Sequence, residues 1–251
     1  MYVKTEGIVL REVEFNDADK LLDLLTKDQG LLTVKARSVR RKNSTIKTAC
    51  QLLCYGEFTL FDYRGRMTIN EAVPIEQFTE LRGDIELLSL GSYFAQAAGL
   101  IAQSDVPTPE LLSLLLNALY ALGRLKKPQL LVKGAFELRL AALAGFEPDL
   151  SGCVTCGRAE PDRFLVRQGV LQCASCQGAD EQDLRLPITP GVLAAMRHIL
   201  WCDSKKLFSF TLSEASLEQL SGITETFLST QLEHSFYTLD FYKSLFLTYG
   251  E

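Results

Sequence analysis

"GIVLREVEFNDADKLLDLLTKDQGLLTVKARSVRRKNSTIK", residues 7–47, decides the fold. Three apolar runs in it are separated by Asn16-Asp17 and Gln29-Gly30, dipeptides that favour tight turns over helix. Working outward, "TEGIVLREVEF", "DKLLDLLTKDQG", "LLTVKARS", "QLLCYGEFTLFDY" and "RMTINEAVPI" read as five strands, the last two joined at Arg64-Gly65. So many short strands in so little chain predict a small closed barrel of the oligonucleotide/oligosaccharide-binding (OB) type, with another five-stranded barrel as the alternative.

After Pro74 the period changes to that of helices. "GDIELLSLGSYFAQAAGLIAQ", "TPELLSLLLNALYALGRL" and "PQLLVKGAFELRLAALAGF" carry apolar residues at helical spacing, and Thr108-Pro109 is a helix start signal that Thr189-Pro190 repeats. Further helices are expected at "TPGVLAAMRHILW", "SEASLEQLSGITETFLSTQL" and "FYTLDFYKSLFLTYG". The expected fold is α+β and multidomain. An OB-type barrel spans 1–79, an α-helical bundle spans 80–149 plus 187–251, and a cysteine-bearing insert spans 150–186.

The insert contains "CVTCGRAEPDRFLVRQGVLQCASC", which places Cys153, Cys156, Cys173 and Cys176 in two Cys-x-x-Cys pairs. Each pair offers two thiolates on one turn, and "RFLVRQGVLQ" is long enough to fold back as a hairpin that joins them around one tetrahedral Zn(II). Four sulfur ligands leave no open position, so the ion is expected to be structural. A redox-active or disulfide pair is the competing reading. Cys50, Cys54 and Cys202 read as ordinary buried residues.

Apolar residues make up 47% of the 251, ample for a core, and no apolar run approaches the length that crosses a bilayer. With no signal-peptide pattern and with metal-type cysteine spacing, the chain is expected to be cytoplasmic. No Walker loop, dinucleotide fingerprint, Gly-x-Ser-x-Gly or His-Glu-x-x-His occurs. His198 and His234 read as structural, and no catalytic residues are expected. The acidic run "EVEFNDAD" lacks the ligand spacing of a calcium loop.

Charge is segregated in this chain of net charge -5: residues 32–56 hold six cations and no carboxylate. Lys35, Arg37, Arg40, Arg41, Lys42 and Lys47, interleaved with Ser38, Asn43, Ser44 and Thr45, suit phosphate oxygens. If all six met single-stranded phosphates, log K would fall against log salt with a slope of about -4. Tyr55, Phe58, Phe61 and Tyr63 lie on the next strand, where each ring either packs in the core or stacks on a base. A solvated charge run is the plain alternative for the loop.

The assembled residues resemble the RecO family of bacterial recombination mediators over most of the chain. The likeness rests on the 7–47 stretch quoted above, on "FELRLAALAGFEPDLSGCVTCG", similar to the family's helix entering its zinc insert, and on "FYKSLFL", similar to its C-terminal Lys-Ser helix. Where family members often have Lys-Gly-Ala-Arg this chain has Arg37-Ser38-Val39-Arg40, keeping the charge and losing the glycine. The resemblance implies binding of single- and double-stranded DNA, strand annealing without ATP, and association with RecR. It also implies capture of the acidic tail of single-stranded DNA-binding protein (SSB), loading of RecA onto SSB-coated DNA, and presence at the nucleoid during repair. A tail site needs an apolar pocket rimmed by cations; Lys133 and Arg139 are the candidates, then Arg124, Lys126 and Lys127, with exposed charges on an amphipathic helix as the competing reading. An RNA-binding OB protein and a zinc-containing protein adaptor are the other readings.

Overall fold

The computed structural model describes residues 1–176 and 182–247. Thr248, Tyr249 and Gly250, included in the last helical pattern, and the insert's Asp180 and Glu181 lie outside the described residues. Strands β1 (Tyr2–Phe15), β2 (Asp19–Thr26), β3 (Gly30–Ala36), β4 (Tyr55–Tyr63) and β5 (Arg66–Glu76) close into a barrel of order β1-β2-β3-β5-β4. The long β1 serves two neighbours: its first half pairs with β4 from Tyr2↔Phe61 to Ile8↔Tyr55, its second with β2 up to Phe15↔Asp19. A bulge between Val9 and Arg11 bends it from one partnership into the other. Closure is completed by a parallel contact, Val34↔Met67, between β3 and β5.

Alternation along the strands sends Val9, Leu22, Leu24, Val34, Phe58 and Leu60 into a fully buried core. Gly30 turns the β2–β3 hairpin at φ 67°, and a Cβ there would stand 2.4 Å from the Gln103 carbonyl oxygen, so no other residue fits. The connection from β3 to β4 is not a free linker. Val39, Ile46, Ala49 and Cys50 reach down from it into the barrel core, which pins the intervening polar residues outward.

Helices α1 (Thr79–Arg82), α2 (Ile85–Ile101) and α3 (Pro109–Gly123) follow the barrel. Asp84 caps α2 by accepting from the Glu86 and Leu87 amides. Small residues on α2 let it lie close to the barrel: a Cβ on Gly91 would be 2.9 Å from Leu53 Cδ1, and one on Gly99 would be 3.5 Å from Leu10 Cδ1. The C-terminal helix α7 (Tyr237–Leu247) returns to α2, where Phe236 meets Tyr93 edge-on at 5.3 Å and Thr238 Oγ1 donates to Gln96 Oε1.

The chain forms two compact units, 1–124 with 236–251, and 125–235. The helices expected as one bundle are therefore divided: α1–α3 and α7 belong with the barrel, and α4 (Gln129–Leu143), α5 (Pro190–Trp201) and α6 (Glu214–Gln231) with the insert. Helical spacing reveals which faces are apolar but not which faces meet. Within the second unit α4 and α6 approach closely at Gly134, where a Cβ would be 3.0 Å from Leu220 Cγ. No described helix is long and apolar enough to cross a membrane.

Candidate nucleic-acid groove and metal centre

Residues of the β3–β4 connection and of all five strands enclose an open groove of about 1340 Å³ on the barrel. Its cations come from two neighbouring strands: Lys35, Arg37, Arg41 and Lys42 from β3 and its loop, and Arg66 from β5. Ser38, Asn43, Ser44 and Thr45 add neutral donors between them, and no carboxylate lines the groove among the described residues. Exposed aromatic rings of Tyr2, Phe15, Phe61 and Tyr63 complete the wall.

The six cations of the loop are not equivalent. Lys35 pairs with Asp19 at 2.9 Å, and the same carboxylate accepts the Ser38 amide at 2.8 Å. The hydrogen bond from Lys35, reinforced by the Ser38 amide, holds the Asp19 carboxyl below its usual range, so it stays ionised and clamps the start of the loop. Arg40 turns away, pairing with Glu14 at 3.2 Å, and with Lys47 it lines a separate depression beside Glu12 and Glu14. Arg37, Arg41, Lys42 and Arg66 have no ion-pair partner among the described residues. The structure thus places Lys35, Arg37, Arg41 and Lys42 along the groove and Arg40 and Lys47 away from it, with Val39 and Ile46 buried between them.

Sequence reasoning also left the rings undecided. Phe58 is fully buried, Tyr55 donates to Glu6 Oε2 at 2.7 Å, and Phe61 and Tyr63 face the groove. Tyr2, Phe15 and Arg66 were missed; the signal available was strand alternation, which puts Phe61 and Tyr63 on one face of β4. Cys50 and Cys54 are inert core residues, their thiols pushed by burial up to about 12 and about 11.

In the insert, Cys153 ends β6 (Asp149–Cys153), and Cys173 follows β8 (Val170–Gln172), which pairs antiparallel with β7 (Arg163–Leu165) as the expected hairpin. A short β9 (Arg185–Pro187) completes the sheet. The four sulfurs lie within 4.8 Å of one another, with Cys153–Cys176 and Cys156–Cys173 both at 3.8 Å. A tetrahedron with metal–sulfur bonds of about 2.3 Å has sulfur–sulfur edges of about 3.8 Å, whereas a disulfide needs about 2.05 Å. The residues present fit a divalent ion.

Their electrostatics agree. Desolvation opposes ionisation of Cys153, yet backbone N–H groups of Cys156, Cys173 and Thr155 bring its thiol down to about 6. Burial pushes Cys173 up to about 12, with Cys153 and Cys156 adding to the rise. Four thiolates at this spacing need a cation between them. Gly157, at φ 73°, makes the tight turn after the first pair, and Asp162 Oδ1 accepts the Ala174 amide at 2.6 Å in the second. The insert also has more core than its composition suggested: Phe164, Leu165 and Leu171 are fully buried, and Phe164 meets Phe227 of α6 edge-on at 5.3 Å.

Comparison with known proteins bears on both sites. The family model described as "Recombination protein O N terminal" matches residues 1–78, and "Recombination protein O C terminal" matches 82–240. The chain belongs to the RecO family. "DNA repair protein RecO" of Acetivibrio thermocellus is 32% identical over 247 residues, 97% of each chain. The protein of the same name from Alkaliphilus metalliredigens is 27% identical over 248 residues, 98% of this chain and 100% of the relative. That from Bacillus pumilus is 28% identical over 208 residues, 82% and 80% of the two chains.

RecO membership gives the loop sequence a physical reading. Ser38 has φ 52°, a left-handed conformation that glycine adopts without strain and that the Asp19 clamp holds here. The candidate tail-binding cations of this RecO-type chain fare differently. Lys133 is 2% exposed, its ammonium lying 2.9 Å from Glu137, 2.8 Å from Glu225 and 3.0 Å from Ser221 Oγ. Burial works against its charge, but Glu137 and then Glu225 outweigh that and raise its pKa. Lys133 is therefore a buried partner within the second unit, not part of a binding surface. Arg139 is partly buried and donates to the Cys202 carbonyl at 2.9 Å. Arg124 pairs with Glu76 and Glu80; Lys126 is exposed and Lys127 half-buried.

Proposed function

We propose that this chain is a cytoplasmic DNA repair and recombination mediator that holds single- and double-stranded DNA in the barrel groove. It anneals complementary strands without ATP and, with RecR, helps load RecA onto SSB-coated DNA. The observation that carries the reading is the groove itself: cations from the β3–β4 connection and from the neighbouring strand β5, no carboxylate among its described lining residues, and membership in a family whose relatives are named as DNA repair proteins. Arg37 and Arg41 present planar forks that suit phosphate oxygens, and Lys42 adds a mobile point charge. Because Val39, Ile46 and Cys50 anchor the loop in the core, little ordering is left to be done when a strand arrives. The bound cations lower the repulsion met by an approaching complementary strand. Capture of the SSB tail belongs to the same proposal, with Arg139 and then Lys126 and Lys127 as its candidate residues.

The metal is proposed to be Zn(II) in a structural role. Its chemistry would be to bind four thiolates and fix the two turns; Asp162 and Gly157 shape those turns, and Asp183 supports the β7–β8 hairpin by accepting the Arg167 and Gln168 amides at 2.8 and 3.1 Å. With four uncompensated cations in the groove, Arg37, Arg41, Lys42 and Arg66, single-strand affinity is expected to fall with salt at a slope of about -3. Annealing of complementary oligonucleotides, bare and SSB-coated and without ATP, tests the function. Salt-sensitive binding with annealing supports it. A slope near zero and no annealing would transfer the groove to a protein partner, and preference for RNA in matched competition would favour RNA binding.

A further inference from the structure

Four large aromatic side chains of the barrel strands remain exposed, Tyr2 (62%), Phe15 (41%), Phe61 (38%) and Tyr63 (59%), and all four line the groove. Exposing this much ring surface forfeits the stabilisation that burial would give, and the strands have buried positions that take Phe58 instead. The rings are also differentiated. Lys35 sits over the Phe15 ring at 4.9 Å and Arg64 over the Tyr63 ring at 5.4 Å, so these two faces already position cations. Tyr2 and Phe61 are directly opposite in the β1–β4 register, with ring centroids 5.2 Å apart and planes tilted by 52°. No cation covers either ring among the described residues.

We propose that Tyr2 and Phe61 form a stacking platform for unpaired bases, which makes the groove selective for single strands over duplex. The proposal rests on the phosphate-holding reading of the same groove and adds what the bases do there. Loop cations hold the backbone from one side while one or two bases lay their faces on the tilted pair, and their pairing edges stay free. Pairing then takes both faces of each base into the helix, so a newly formed duplex keeps only its phosphate contacts. The product is held less tightly than the substrate, and each annealed strand leaves the groove open for the next.

The test compares binding of an oligothymidylate, an abasic oligomer with the same number of phosphates, and a duplex of that length, each over a range of salt. Wild-type chain is expected to bind the oligothymidylate about tenfold or more tighter than the abasic strand, with equal salt slopes. The double variant Tyr2→Leu/Phe61→Leu, which keeps apolar bulk, is expected to lose that difference and keep the slope. The single variant Tyr2→Trp, with Phe61 unchanged, should keep the difference and show quenching of the new indole by thymidylate but not by the abasic strand. Equal wild-type affinity for base-bearing and abasic strands, at an undiminished slope, would overturn the platform and leave the phosphate reading intact. Absence of salt-dependent binding to any of the three would overturn both.

Discussion

Cys173→Ser is expected to lose bound zinc and to loosen the insert while the barrel stays folded. Structural zinc contributes roughly 10–16 kcal/mol to isolated modules, and three ligands cannot replace the closed sphere of four. Here the loss is partly offset by the insert's own packing: Phe164 against Phe227, and the Gln231 amide donating to the Val166 and Arg167 carbonyls at 2.9 Å. The expected result is thus local. Metal content should fall to background, amide protection in β7 and β8 should drop by orders of magnitude, and proteolysis should open within 154–176, with barrel amides unchanged. Wild-type protein that purifies without metal and shows the same protection as the variant would contradict the structural-ion account.

Lys133→Ala should destabilise the second unit by about 3–5 kcal/mol, the usual consequence of leaving a buried carboxylate without its cation. Glu137 is fully buried and would keep the Thr224 hydroxyl at 2.7 Å but lose the ammonium at 2.9 Å. Replacing the pair together, Lys133→Met with Glu137→Met, removes both charges and fills the space, and is expected to cost far less than the single change. Hydrogen exchange of α4 and α6 amides reads both variants without assuming that the whole chain melts in one step. If Lys133→Ala leaves that protection unaltered while weakening an SSB-tail peptide, the lysine is a surface ligand and the buried assignment is wrong.

The elements that were legible in the sequence are those set by local rules. Turn dipeptides at Asn16-Asp17, Gln29-Gly30 and Arg64-Gly65 mark strand ends within a residue or two, and Thr108-Pro109 and Thr189-Pro190 both start helices. The cysteine spacing pointed to the four-sulfur cluster, since a hairpin of that length has few ways to close. The burial of Lys133 was half legible: Glu137 stands one helical turn away, but Glu225 lies 92 residues further on and only the packing of α4 on α6 brings it in. The groove was harder for the same reason. Tyr2 and Phe15 are at opposite ends of β1, and barrel closure brings both to one wall. Within the 37–54 connection no strand or helix period exists, so nothing local says that Val39 and Ile46 point inward or that Arg40 leaves its neighbours for Glu14.

The central claim is that a particular set of cations, and not the basic character of the loop, holds the strand. It is tested most directly by the salt dependence of single-stranded DNA binding for two variants of the full chain, Arg37→Ala/Arg41→Ala/Lys42→Ala and Arg40→Ala/Lys47→Ala. The first is predicted to flatten the slope by about 2 and abolish annealing, the second to leave both close to wild type. Equal losses in the two variants would contradict the groove and return the loop to an undirected basic patch.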